Sequence, residues 1–284
     1  MTVLGSVPRT AGFVPAVEPR ARFSDLVVSE WIKAWSLRST WWTLGVTLLV
    51  AWGSAFAAAK ADYDNIPGYK DLAPHPAFAV SDSVPQAGWM TVMIAAAALG
   101  ALAMANEYGT GLIRTTTIAV PSRGPLVLAK AVVQTVIWTV LGCVAASGGF
   151  VIAQSVLSGR HASVTLGEEH ALRALVAAAL VAPVCALIGL GVGTLVRHGA
   201  ASVGLSAFGL LMLPAFFSQN KHWSADINHA FVLPAFQRLV QPWDDGDFRA
   251  GFLRATVPGS WTVYLLWPLV SLALAVWVVR KRDV

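Results

Sequence analysis

Charge is scarce in this chain. Asp, Glu, Lys and Arg make up 12% of its 284 residues, about half of the roughly 25% usual in soluble domains. Apolar residues make up 56% and glycine adds another 24 positions. A water-soluble fold of this size would leave too much apolar surface exposed, so the composition excludes an ordinary soluble enzyme as well as a disordered or collagen-like chain. It points to a bilayer as the solvent. Cysteine is scarcer still. Two residues, Cys143 and Cys185, do not make a disulfide scaffold, and both lie in apolar runs where a thiol packs as a small apolar side chain.

The common signatures of chemistry are missing too. The sequence has no G-x-x-x-x-G-K-[ST] loop to cradle a nucleotide, and no H-E-x-x-H, C-x-x-C or G-x-S-x-G. Glu168, Glu169 and His170 sit together, and His161, His222 and His229 are scattered around them. Their spacing fits no metal-ligand pattern. No catalytic, cofactor or metal site is therefore expected on the chain. The net charge of +5 and the pI near 9.5 come without a basic patch interleaved with aromatics, so they suit anionic lipid and not nucleic acid.

What the chain does have is six apolar runs without Asp, Glu, Lys or Arg: Trp41–Ala59, Gln86–Ala105, Ala131–Leu157, Ala174–Val196, Ala200–Phe217 and Trp261–Val279. A hydrocarbon core needs about 20 apolar residues per helix, and a backbone in lipid must satisfy its own hydrogen bonds. The runs therefore predict an all-α protein with six transmembrane helices. No ionisable residue is expected inside a span, whereas ion-coupled carriers usually place one there. The first 40 residues are too long and polar for a cleaved leader, so the first span is expected to stay in the mature chain.

Lys and Arg in the connections set the expected orientation. Residues 1–40, 106–130, 197–199 and 280–284 together hold twelve, and the connections on the other side hold eight over longer loops. Both termini are thus expected in the cytoplasm, with the chain multi-pass in the cell membrane. Residues 1–23 read as a flexible cytoplasmic tail and 24–284 as one membrane domain.

Three segments outside the spans stand out. In Ser24–Thr40, Val27, Val28, Trp31, Ala34 and Trp35 share one helical arc, while Asp25, Ser29, Lys33, Ser36 and Thr40 share the opposite one. Ser24 is a candidate N-cap, with Asp25 near the positive end of the dipole. This is either a helix lying in the inner interface, with the turn into the first span at Trp41 and Trp42, or an extension of that span. Asn106–Lys130, between the second and third spans, is either a short docking helix over Thr110–Ala119 ended by Pro121 or a solvated loop. Within Ser218–Ser260, the apolar stretch Ile227–Val240 is too short to span. It predicts an extracytoplasmic re-entrant helical hairpin before the last span, or else a soluble lid. Gly189 and Gly193 are spaced for close helix packing, with Ala182 and Ala186 on the same face. Pro183, Pro214 and Pro268 sit inside spans as candidate kinks.

Three of these stretches carry a family resemblance. SEWIKAWSLRSTWW (Ser29–Trp42) is similar to the E-W-x-K-x-x-S-x-R-S-T-W-W approach to the first span in ABC-2 type permeases of the actinobacterial kind. NEYGTGLIRTTTIAVPSRG (Asn106–Gly124) resembles their E-Y-x-x-G-x-I-R-x-T-x-x-x-x-P-x-R loop, and GLGVGTLVR (Gly189–Arg197) resembles the cytoplasmic end of their fourth span. The likeness covers most of residues 24–284. It implies a permease subunit of an ATP-binding cassette transporter, paired with a second permease copy and driven by two separate ATPase subunits, which would hold the ATP and Mg. It places Glu107, Tyr108, Arg114, Thr115, Pro121 and Arg123 in the ATPase-docking loop. It places Trp31, Lys33, Trp35 and Arg38 in the interfacial helix, against membrane lipid. A six-span scaffold or sensory partner without an ATPase would share the topology.

Overall fold

A computed structural model describes residues 22–65, 78–109, 123–168, 170–241 and 253–281. The described residues are helical apart from short turns, and six stretches are long and apolar enough to cross a membrane. They coincide with the six runs read from the sequence, lengthened at their ends. The helices are α1 (Phe23–Ser36), α2 (Arg38–Asn65), α3 (Phe78–Ser83), α4 (Gln86–Gly109), α5 (Arg123–Ser158), α6 (Ala171–Val196), α7 (Gly199–Ala207), α8 (His222–His229), α9 (Val232–Val240) and α10 (Val257–Lys281). The protein is a multi-pass membrane protein built on α2, α4, α5, α6, α7 with its continuation, and α10.

The fourth span, α6, is the centre. Most of its side chains are buried, including Ala174, Ala177, Ala178, Val181, Ala182, Cys185, Ala186 and Leu190. α4 and α5 pack along two of its sides and α10 along a third. The α4–α6 contact is backbone against backbone. A Cβ on Gly189 would overlap the carbonyl oxygen of Ala97, one on Gly193 that of Ala101, and one on Gly100 that of Ala186. Small residues allow this approach where lipid offers helices no hydrophobic reason to associate. The spacing of Gly189 and Gly193 predicted the seam. Gly142 makes the same approach from α5, against Ala179.

Of the three prolines named inside spans, Pro268 is carried within α10 without a break. Pro183 is carried inside α6 without a break. In the fifth span, Pro214 cannot donate a backbone hydrogen bond. There α7 passes through a π-helical turn, Phe208–Met212, into a 3-10 turn, Leu213–Phe216. Of the two cysteines, Cys185 is buried as expected, but Cys143 is exposed on the side of α5.

At one end of the bundle α8 and α9 form a short helical pair. The apolar side chains of α9, Val232, Leu233, Ala235, Phe236, Leu239 and Val240, are all buried against α6 and α10. Polar ties fix the pair: Arg173 Nη2 donates to Gln241 O (2.6 Å), Trp267 Nε1 to Ala230 O (2.6 Å) and Arg238 Nε to Ala255 O (2.8 Å). The turn of the expected hairpin, Trp243–Asp247, and the start of its returning arm lie outside the described residues; the end of that arm, residues 253–256, is described and is not helical, with the Leu253 amide donating to Gln219 O (3.0 Å).

Candidate functional site

The opposite end of the bundle carries the charges. α1 starts at N-cap Arg22, not at Ser24, and the Arg22 amide donates to Asp25 Oδ2 (2.9 Å). An acid in the first turn suits the positive end of the dipole. The helix stops at Leu37, whose backbone is extended (φ −87°, ψ 121°). The turn therefore comes four residues before Trp41. The two Trp continue α2 as exposed residues.

The apolar arc of α1 divides, with Val27, Ala34 and Trp35 packed partly buried against the core. Val28 and Trp31 point outward, and the buried positions of α1 are Leu26 and Glu30. A face shown to lipid is itself apolar, so apolarity alone does not mark the inward side of a membrane helix. Trp31 stands edge-on to Trp35 (5.6 Å), and Trp35 lies against Trp41 (4.6 Å). Trp41 Nε1 donates to Trp35 O (3.2 Å), bracing the elbow. Arg38 opens α2 as an exposed residue.

Turning Glu30 inward creates a closed ring of four ion pairs. Lys130 of α5 reaches Glu30 Oε2 (2.6 Å) and Glu107 Oε1 of α4 (2.7 Å). Lys33 of α1 reaches Glu30 Oε1 (2.7 Å) and the same Glu107 Oε1 (3.1 Å). Glu30, Glu107 and Lys130 are buried, with 6%, 6% and 3% of their surface exposed. The Lys33 side chain is half exposed. Burial, the largest single influence on Lys33, pulls its pKa down. The bond to Glu30 and the charges of both carboxylates together outweigh it and hold the ammonium above the ordinary 10.5.

The expectation of spans free of ionisable residues needs correcting here. The apolar runs are uncharged, but α4 and α5 extend beyond them and bury Glu107 and Lys130 as structural members. Removing one partner of such a group strands a buried charge and costs about 3–5 kcal/mol. One oxygen of the ring, Glu107 Oε2, is buried with no hydrogen-bond partner. An unmet buried acceptor costs about 1–3 kcal/mol.

The ring joins helices that otherwise barely meet, because α4 and α5 scarcely touch along their length. In the gap between them lies a cavity of about 400 Å³. Its lining is mostly apolar, with Leu99, Leu102 and Ala103 from α4 and Val133 and Ile137 from α5, and the polar Thr40, Asn106 and Gln134 among them. Lys33, Glu30, Glu107 and Lys130 lie at one end of it. A second, more polar cavity of about 450 Å³ lies at the α8–α9 end, lined by His229, Gln237, Arg238 and Arg254 among others.

Two further contacts brace the charged end. Tyr108, next to Glu107, lies under the Arg197 guanidinium, 4.6 Å from its ring centre. Arg197 caps α6 in the left-handed region (φ 60°) and donates its amide to Gly193 O (3.0 Å). Gly124, at the start of α5, faces the Arg280 side chain of α10.

Of the residues singled out in the sequence, the structure brings Lys33 and Glu107 together and places Tyr108 beside them. Trp31 and Arg38 are exposed at the elbow, while Trp35 is half-buried against the core. Arg114, Thr115 and Pro121 lie outside the described residues, and of Arg123 only the backbone, opening α5, is described. Glu30, Lys130 and Arg197 were missed as site residues. Glu30 and Lys33 at i and i+3 were a usable signal. Lys130, directly before a long apolar run, looked like an ordinary flanking charge. Among the described residues no three His, Cys, Asp or Glu side chains gather as a metal site. No family model matches the chain, and no curated protein does.

Proposed function

We propose that this chain is the membrane-spanning permease subunit of an ATP-binding cassette exporter. In this reading it works as a homodimer in the cell membrane with both termini in the cytoplasm. A separate ATPase subunit supplies the energy, and no ATP is hydrolysed on this chain. α1 lies in the inner interface, its exposed Val28, Trp31 and Ile32 against lipid. α8 and α9 begin a re-entrant hairpin at the outer surface. Residues Glu107–Arg123 are the element on which the ATPase docks.

The ion ring is the observation that carries this reading. A motor on a separate subunit must push on something stiff, and residues 110–122 run from the end of α4, three residues after Glu107, to the start of α5, about two turns before Lys130. The Glu107–Lys130 contact ties α4 to α5 near that segment, and Glu30 and Lys33 tie the joint to α1. A displacement of the segment would therefore move the second span, the third span and the amphipathic helix as one. The backbone-tight α4–α6 seam would pass it to the centre of the bundle. The three sequence stretches shared with ABC-2 type permeases support the same assignment.

Co-purification with the ATPase tests it. Arg114→Glu and Ile113→Asp are each expected to leave membrane insertion intact while weakening ATPase recovery or uncoupling hydrolysis from cargo. Full ATPase binding and cargo-stimulated hydrolysis in both variants would refute the docking assignment.

A further inference from the structure

We infer that the cavity between α4 and α5 is a binding site for one phospholipid of the adjacent leaflet, with a zwitterionic headgroup bearing a primary ammonium. The inference needs only that the six helices sit in a bilayer, and it stands apart from the partnership with an ATPase.

The cavity is built like an amphiphile. Its volume of about 400 Å³ falls in the range of about 300–1,000 Å³ typical of small-molecule sites. Leu99, Leu102, Ala103, Val133 and Ile137 give it an apolar interior, and the ion ring gives it one charged end. Such a shape takes the upper part of an acyl chain together with the headgroup above it.

The ring sets the charge of the headgroup. Its two carboxylates and two ammonium groups cancel, so a ligand of either net sign meets as much repulsion as attraction. Two of the groups with capacity to spare match a headgroup. Glu107 Oε2 is buried without a partner, and the half-exposed Lys33 ammonium has more donors than its two carboxylate contacts use. An acceptor on Glu107 and a donor on Lys33 match a headgroup that carries an ammonium close to a phosphate. The ammonium must keep N–H groups to satisfy Glu107 Oε2, which favours ethanolamine over choline.

The position identifies a lipid rather than a soluble molecule. Exposed lining residues Lys33, Ser36, Leu37 and Ser39 put the opening at the elbow between α1 and α2. The same elbow exposes Trp31, Trp41 and Trp42, and Trp collects at the headgroup level of membrane proteins. The opening therefore faces the layer in which phospholipid headgroups lie.

The test is native mass spectrometry of the full-length protein. It is reconstituted in vesicles of phosphatidylethanolamine, phosphatidylcholine and phosphatidylglycerol in equal amounts, then stripped with detergent. One phosphatidylethanolamine per protomer should be retained, about tenfold over either competitor, a difference corresponding to about 1.4 kcal/mol. Glu107→Gln should erase the preference for ethanolamine over choline. Ala103→Phe fills the apolar part without touching the ring, and it should abolish retention of all three lipids even if the Glu107 variant does not fold. Equal retention of the three lipids by the wild type, or unchanged retention by Ala103→Phe, would overturn the proposal. So would displacement of the lipid by free phosphoethanolamine at comparable concentration, because the chain would then contribute nothing. Failure here leaves ATPase docking untouched, and failure of docking leaves lipid retention untouched, so the two readings are separable.

Discussion

Lys130 Nζ lies 2.6 Å from Glu30 Oε2 across a separation of 100 residues, and the same nitrogen lies 2.7 Å from Glu107 Oε1. One buried ammonium thus holds together the amphipathic helix α1, the end of the second span and the start of the third. A lysine this deep is tolerable only because both its partners are carboxylates. Each depends on the other in the same way.

Lys130→Ala should therefore destabilise the protein by about 3–5 kcal/mol, because it strands two buried carboxylates. Lys33→Ala should cost no more than about 1 kcal/mol, since its side chain is half in solvent. The pair Glu30→Gln with Lys130→Met removes one charge of each sign and should recover part of the Lys130 loss. Thermal unfolding in detergent measures the order. If Lys130→Ala and Lys33→Ala were equally mild, the ring would be a surface feature and not a joint.

The six spans were legible because lipid imposes a crude requirement, length and apolarity, that Trp41–Ala59 and the other runs meet in plain sight. The Gly189–Gly193 seam was legible from spacing, although Gly100 on the facing helix was not. The ring was not legible for a physical reason. Glu30, Glu107 and Lys130 all lie outside the apolar runs, where a charge ordinarily rests among headgroups. Only the tertiary fold turns them toward one another. The break at Leu37 was hidden as well, since no Pro or Gly marks it.

Lys33 should also add an alkaline term to the pH dependence of stability. Lys33 is held above 10.5 in the folded protein, so it binds its proton more tightly folded than unfolded. Its contribution is fully present below the unfolded value and is lost as pH rises through the raised folded value. The contribution of Lys33 should be constant from neutral pH to about 10 and fall above 10.5 as this group titrates. The fall should be shallower in Lys33→Met. A melting series at several alkaline pH values compares the two, and identical slopes would show that Lys33 takes no part.

The α4–α6 seam predicts a sharp contrast between glycines. Gly189→Val puts side-chain atoms where Ala97 has its carbonyl, and overpacking of this kind costs about 1–3 kcal/mol or more. Gly53 on α2 has nothing within 4 Å of a built Cβ, so Gly53→Ala should be neutral or stabilising by up to about 1 kcal/mol through helix propensity. Unfolding midpoints of the two variants test it. A tolerated Gly189→Val would mean that the two spans can part, and that the seam is not the rigid element through which the proposed motor acts.

The last brace to test is the stack of Arg197 on Tyr108. A left-handed φ of 60° costs a residue with a Cβ roughly 1–2 kcal/mol, and glycine would occupy the position freely. Arginine there makes sense if the side chain returns the cost, and its guanidinium does lie 4.6 Å from the Tyr108 ring centre. A cation over an aromatic face contributes about 0.5–2 kcal/mol depending on burial. Arg197→Gly should therefore be close to neutral in stability, with relief of strain offsetting the lost stack. Tyr108→Leu has no such relief and should destabilise by about 0.5–2 kcal/mol. Tyr108→Phe keeps the π face and should be indistinguishable from the wild type. Because the stack ties the end of α4 to the end of α6, next to the segment proposed to dock the ATPase, Tyr108→Leu and Arg197→Gly should on that proposal both lower the ratio of cargo-stimulated to basal ATP hydrolysis. Tyr108→Phe should not. That ratio separates a brace that transmits force from one that merely adds stability. If Arg197→Gly lost nothing in stability and nothing in the ratio, the stack would have no part in coupling.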